Sequence, residues 1–201
     1  PDITKPVISG MPADTLLTAE SGVCGAFVSW TIPSATDNCE LLSFNSNAST
    51  PGDFFGVGTT TVTYTARDTA GNVKASSFFI TVTDDEKPAI HNLPTDTTIS
   101  VISGTCAATY TWTAPTATDN CEVSSIIGSD ASGDSFGKGS NTVTYTATDV
   151  NGNDSIASFI VTVIDDEDPV ITNTPSDTTI VTSSTMCGQV VNWVDATATD
   201  N

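Results

Sequence analysis

The cysteines and tryptophans of this 201-residue chain recur in a fixed register. Cys24, Cys106 and Cys187 step by 82 and then 81 residues, and Trp30, Trp112 and Trp193 each lie six residues after one of them. Pro6, Pro88 and Pro169 keep the same step, as do Asp14, Asp96 and Asp177. A period this long is the size of a small domain rather than a solenoid turn. The chain therefore reads as tandem domains: residues 1–83, residues 84–164, and the N-terminal part of a truncated third over 165–201.

Within a repeat the period is two. In T-V-T-Y-T-A, Val62, Tyr64 and Ala66 alternate with threonine, and Val143, Tyr145 and Ala147 do the same in the second repeat. One apolar and one hydroxyl face make a half-buried antiparallel strand. Phe78, Ile80 and Val82, matched by Phe159, Val161 and Val163, predict the next strand after the T-A-G-N and V-N-G-N turns, whose Gly-Asn pairs are hairpin signals. Val28 with Trp30, and Tyr110 with Trp112, predict a strand that carries an aromatic into the same core. No segment has helical periodicity. Short alternating strands, frequent turns and a Trp in units of about 80 residues point to tandem immunoglobulin-like β-sandwiches, two complete and one truncated, in an all-β fold.

Charge narrows the partners. Five Lys plus Arg face 24 Asp plus Glu, a formal net charge of −19. Nucleic acid and anionic membranes need clustered basic residues and are excluded as partners; cations are favoured. No apolar run approaches the length of about 18 residues that a membrane helix requires, so no membrane insertion is expected in this segment. The opening P-D-I-T-K-P has neither an initiator Met nor a signal peptide, and the chain reads as a piece of something longer.

Several segments carry a family resemblance. G-x-C-x-x-x-V-x-W, the P-x-A-T-D-N-C loop, F-x-x-G-x-x-T-V-T-Y-T-A-x-D-x-x-G-N and S-F-x-x-T-V-x-D-D-E-x-P together resemble the hyalin repeat (HYR) domain over essentially all of the first two repeats. The resemblance implies an immunoglobulin-related sandwich used in tandem in extracellular and cell-surface proteins and associated with adhesion. Many bacterial members of that family carry two further cysteines; Leu93 and Ala157 stand at those places here.

Acidic residues collect between the repeats. Asp84, Asp85 and Glu86 join the first to the second, and Asp165, Asp166, Glu167 and Asp168 the second to the third; the N-terminal counterpart keeps only Asp2. In a sandwich, the linker entering a domain shares a pole with the loop after the Trp strand and with the Gly-Asn hairpin. Asp119, Asn120, Asp149 and Asn153 should then face the first linker, Asp37, Asn38 and Asp68 should face Asp2, and Asp200 and Asn201 should face the second linker. Oxygen donors grouped in this way suit Ca2+. The plainer reading is a solvated acidic linker with Asp and Asn as turn formers.

Five cysteines, Cys24, Cys39, Cys106, Cys121 and Cys187, without a C-x-x-C signature favour disulfides in an oxidising, extracellular or cell-surface location. Cys24 to Cys39 and Cys106 to Cys121 both span 15 residues, and the same spacing predicts a cysteine one position beyond Asn201. A bridge within one repeat closes a short loop, yet a straight strand would carry the chain on the order of 23 Å away from Cys24 before it turns back. The rival pairs Cys24 with Cys121, across repeats. Both stay open, as do free or intermolecular thiols.

Thr15, Thr69, Thr97, Ser155 and Thr178 each follow an Asp and precede a small or apolar residue or a second Thr, resembling the short O-glycosylation signal of some gliding bacteria; ordinary strand-edge hydroxyls are the plainer reading. Asn47-Ala48-Ser49 and Asn153-Asp154-Ser155 are N-glycosylation sequons. His91, the one histidine, sits beside a linker, and no nucleophile or metalloprotease motif accompanies it. The expected role is non-enzymatic: a structural segment of an extracellular array, as stalk, adhesin or fibre, whose partners are neighbouring repeats and, in a fibre, identical chains. The alternatives are a carbohydrate- or protein-binding module and an accessory region of a secreted enzyme. Phe27 and Phe79, which face Thr109 and Ile160 in the register, are the two aromatics that depart from the shared core pattern.

Overall fold

The alternating segments become the longest strands of the molecule. In the computed structural model, which describes residues 2–47, 49–182, 184–185 and 187–201, no helix forms among the described residues. The first repeat contributes β1 (Val7–Ser9), β2 (Thr15–Thr18), β3 (Gly25–Phe27), β4 (Ser34–Thr36), β5 (Leu41–Ser46), β6 (Phe54–Gly56), β7 (Gly58–Asp68) and β8 (Val73–Thr83). The second follows the same order: β9 (Ala89–His91), β10 (Thr97–Ser100), β11 (Ala107–Thr109), β12 (Thr116–Thr118), β13 (Val123–Gly128), β14 (Ser135–Gly137), β15 (Gly139–Asp149) and β16 (Asp154–Ile164). Residues 165–201 add β17 (Val170–Thr172) and β18 (Thr197–Thr199), paired antiparallel.

Each complete repeat holds a four-stranded sheet, ordered β2-β8-β7-β5 in the first and β10-β16-β15-β13 in the second. Two-stranded ladders β3-β6 and β1-β4, or β11-β14 and β12-β9, complete the set. The β7–β8 hairpin sets Val62 opposite Phe78 and Thr60 opposite Ile80. Its turn closes through Gly71 at φ +96°, where a side chain would be strained, and this is why Gly precedes Asn in both turns. β2 runs parallel to β8, with Thr15 beside Ile80, so the first and last strands of the sheet are neighbours.

The chain divides into two compact units. One gathers Pro1–His91, Thr116–Ile127 and Thr146–Ile156; the other gathers Asn92–Pro115, Gly128–Tyr145 and Ala157–Asn201. In the first, Ala26, Val28, Phe55, Val62, Tyr64, Phe78, Ile80 and Val82 form a buried core against which Trp30 and Phe44 pack. Trp30 meets Phe78 edge-on at 5.5 Å between ring centroids and donates its indole N–H to the Tyr64 hydroxyl at 3.0 Å. In the second, Phe159, Val161, Val163, Val143 and Phe136 are buried. Trp112 repeats both contacts there, with Phe159 at 5.4 Å and the Tyr145 hydroxyl at 2.8 Å. Trp30 and Trp112 lie beyond the strands expected to carry them, because β3 ends at Phe27 and β11 at Thr109. Their rings reach the core from the loops that follow.

Candidate functional site

Period two dictates what happens at the inner end of the long strands. Val62, Tyr64 and Ala66 point inward, so Asp68 does as well, and its residue is fully buried. A buried carboxylate needs donors. The Gly-Asn turn supplies them: Asn72 donates its backbone N–H (2.7 Å) and its side-chain N–H (2.7 Å) to the two carboxylate oxygens of Asp68. Asp149, 2% exposed, is held likewise by Asn153 through backbone (2.8 Å) and side chain (2.7 Å), with a third bond from the Asn151 N–H. Burial pushes the Asp149 carboxyl up, but the Asn153 and Asn151 bonds outweigh it and hold it below the usual range.

A carboxyl depressed in the folded state adds stability that is fully present above its unfolded value of about 3.9 and is lost as the pH falls through its folded one. Acidification below about pH 4 should therefore weaken the native chain, and Asp149→Ala, at an initial cost of about 2–3 kcal/mol, should flatten that slope. Urea midpoints measured from pH 2 to pH 6 check it.

Both turn asparagines also reach the entering linker. Asn72 donates to the Asp2 carbonyl at 3.2 Å and Asn153 to the Asp84 carbonyl at 3.3 Å, which brings each linker to the pole where the Asp-Asn-Cys loop lies. At the second pole, Asn120 and Asn151 donate side-chain N–H groups to Asp84 at 3.1 and 2.8 Å. The Asp84 and Asp119 carboxylates and the Cys121 sulfur lie within 4.8 Å of one another. Two buried acceptors here, Asp119 Oδ2 and Asn120 Oδ1, take no hydrogen bond among the described residues.

The first pole repeats the arrangement. Asp2, Asp37 and Cys39 place their donor atoms within 4.8 Å, and Asp2 Oδ2 and Asp37 Oδ1 are the acceptors left over. The Thr4 N–H lowers the Asp2 carboxyl, and the Asp2 carboxylate raises the Cys39 thiol.

The same unit contains the crossing between repeats. Cys24 and Cys121 are joined as a disulfide with a Cα–Cα distance of 4.6 Å, closing a separation of 97 residues. The Cys24–Cys39 pairing does not form, because Cys39 lies at the pole of Asp2 and Asp37 while Cys24 meets the loop of the next repeat. Cys39, Cys106 and Cys187 are exposed thiols. Polar contacts reinforce the bridge: Glu86 accepts from the Gly22 N–H at 2.9 Å, and Asn120 donates to the Val23 carbonyl at 3.3 Å.

The second unit holds the equivalents one repeat on. Glu167 accepts from Ser103 Oγ (2.6 Å) and the Gly104 N–H (3.0 Å), and Asn201 donates to the Thr105 carbonyl at 2.6 Å. Asp165 pairs with Lys138 at 2.9 Å, and Asp166 accepts from Ser100 Oγ at 2.9 Å.

The expected ligand sets thus divide. Asp84, Asp119 and Asn120 come together, as do Asp2 and Asp37. Asp68, Asp149 and Asn153 turn their polar atoms on one another and on the backbone, and Glu86 and Glu167 are engaged by turn N–H groups. Asp85 and Asn38 are exposed at the edge, and Asp200 and Asn201 line a cleft with Gly104 and Glu167. Of the hydroxyls, Thr15, Thr69 and Thr178 are exposed, whereas Thr97 and Ser155 are half-buried. Four of the flanking carboxylates are engaged: Asp14 and Asp96 accept from the N–H groups of Phe79 and Ile160, Asp68 from Asn72, and Asp154 from the Thr148 hydroxyl. Ala48 of the first sequon lies outside the described residues. His91 bonds Thr118 at 2.7 Å on the surface, between β9 and β12. Phe27 stands 63% exposed against Phe54 on one ladder, and Phe79 is 47% exposed on the sheet.

Sequence comparison agrees with the repeat. The family model described as HYR domain matches residues 1–82 and 83–163. Hyalin of Strongylocentrotus purpuratus is 37% identical over 207 residues, taking in 100% of this chain and 17% of its own length. Hyalin of Lytechinus variegatus is 35% identical over 208 residues, 100% of this chain and 39% of its own. The sushi, von Willebrand factor type A, EGF and pentraxin domain-containing protein 1 of Rattus norvegicus is 33% identical over 165 residues, 81% of this chain and 4% of its own. The chain therefore spans less than half of these curated relatives. Among solved structures, a protocadherin gammaB7 EC3-6 cis-dimer matches with a TM-score of 0.35 at 19% identity, over 84% of this chain and 50% of that one. Likeness this loose bears on no residue here.

Proposed function

This chain belongs to the HYR domain family, and on that premise we propose that it is a tension-bearing segment of an extracellular, adhesion-type repeat array, with Ca2+ at its junctions. The observation that carries this reading is the crossing from Cys24 to Cys121. A sulfur bond, the Glu86–Gly22 contact and the Asn120–Val23 contact tie one repeat's exit turn to the next repeat's entry loop. A free-standing binding domain has no use for such a tie. Among the described residues no helix is long and apolar enough to cross a membrane.

The donor set at the junction fits a hard cation. Asp84, Asp119 and Asn120 offer oxygens, and Cys121, already in a disulfide, offers no thiolate. Two of those oxygens are buried without a donor, which is costly unless something positive satisfies them. Adjacent carboxylates also repel, and a divalent ion offsets that. Asp84, Asp119 and Asn120 would hold the ion at this junction, and Asp2 with Asp37 the one before it.

Adding Ca2+ to chelator-treated chain should raise its unfolding midpoint, reaching about 2.7 kcal/mol at a hundredfold excess over the dissociation constant. Asp119→Asn should remove most of that gain. Calorimetry that finds no heat and no shift at millimolar Ca2+ would rule out the ion and leave the disulfide tie standing.

A further inference from the structure

The two entry poles of the first unit share one framework of acids, turn asparagine and cysteine, and their cysteines differ in state. Asp2, Asp37, Asp68 and Asn72 stand where Asp84, Asp119, Asp149 and Asn153 stand one repeat later. The Cys39 N–H donates to Asp37 at 2.9 Å as the Cys121 N–H does to Asp119 at 3.0 Å. The hairpin asparagine holds the linker carbonyl in both. Cys121 carries a partner sulfur from the preceding repeat, whereas Cys39 is an exposed thiol in the same seat. The exit side shows the complementary half. Asn201 donates to the carbonyl of Thr105, the residue before Cys106, as Asn120 does to Val23, the residue before Cys24.

The geometry points to Cys39 as the receiving half of a second inter-repeat disulfide, whose donor is the cysteine six residues before the Trp of another repeat of this pattern. This rests on the array reading above. Closure is a two-electron oxidation with a low-molecular-weight disulfide such as oxidised glutathione as the acceptor. The Cys39 thiolate attacks one glutathione sulfur, the glutathione S–S bond breaks, and one glutathione leaves as its thiolate. The incoming cysteine thiolate then attacks the Cys39 sulfur and expels the second glutathione. Two protein thiols and one oxidised glutathione become one protein disulfide and two reduced glutathiones. Bridges of this kind at every junction would form a ladder in which successive repeats are linked sulfur to sulfur.

The test lengthens the full chain at its N-terminus with a second copy of residues 1–82, which keeps the 82-residue register, and refolds it in a glutathione couple. Of its seven cysteines, three should then titrate as free thiols. A non-reducing digest should yield a peptide joining the added copy's Cys24 to Cys39, beside the peptide joining Cys24 to Cys121. Cys39→Ser in the lengthened chain should fold, since the unextended chain has no such bridge, and should free one further thiol. Five free thiols with Cys39 alkylated, or four or fewer with Cys39 capped by glutathione, while the Cys24–Cys121 peptide is present and the peptide joining the added Cys24 to Cys39 is absent, overturn the proposal and leave the array reading intact. Absence of both peptides from folded material overturns both.

Discussion

Cutting the Cys24–Cys121 bridge should lengthen the chain under tension by roughly 330 Å, the reach of the 97 residues it closes off at about 3.4 Å each. With the bond intact, force applied to the two ends passes from Cys24 directly to Cys121, and β3 to β12 lie outside its path. Reduction, or Cys24→Ser, returns those strands to it. Single-molecule pulling with and without a reductant reads the difference as added contour length, and identical extension traces would remove the bridge from the mechanism. The same bond restrains the unfolded chain: loop-closure entropy gives about 4–5 kcal/mol for a loop of this size. Thermal unfolding of Cys121→Ser should accordingly begin at lower temperature.

Phe78 and Phe79 are adjacent on β8 and should respond very unequally to truncation. Phe78 is 1% exposed and packs edge-on against Trp30, so Phe78→Ala should cost about 3–5 kcal/mol, through lost transfer energy and the cavity left behind. A domain is stable by about 5–15 kcal/mol, so the variant would be marginal. Phe79, on the outer face and 47% exposed, should cost less than about 1 kcal/mol. Guanidinium titrations followed by tryptophan fluorescence separate the two. Similar costs would mean that the inward and outward phases of β8 are wrongly assigned.

That alternation is what the sequence made legible. The runs around Val62 and Val143, the partner runs around Phe78 and Phe159, and the Gly-Asn turns between them specify the two long hairpins without reference to anything distant. β1, β2, β4 and their counterparts are three or four residues long, too short to show a period, and they pair across long separations: Val7 with Thr36, Thr15 with Ile80. Trp30 was legible as a core residue but not as a loop residue, since the strand stops at Phe27.

The site was readable in its parts and not in its connections. The acidic linkers and the Asp-Asn-Cys loops stood out by composition, and their shared pole followed from sandwich topology. Asp68 and Asp149 could have been separated from the ion-facing acids, because they continue the inward phase of Val62, Tyr64 and Ala66 or of their equivalents. A buried carboxylate followed four residues later by Asn is a self-satisfying turn. The disulfide was different. Sequence spacing favours Cys39 and Cys121 alike as partners of Cys24, and the choice depends on which pole each sulfur occupies in three dimensions.

The bridge also alters what a single cut does to the chain. In an ordinary thread of domains, one cleaved peptide bond separates everything on one side from everything on the other. Here a break at any bond between Cys24 and Cys121 leaves both pieces attached, because continuity runs through sulfur as well as through the backbone. Severing the segment within that stretch takes two chemically different events, proteolysis and reduction. A matrix exposed to proteases but kept oxidising supplies only the first.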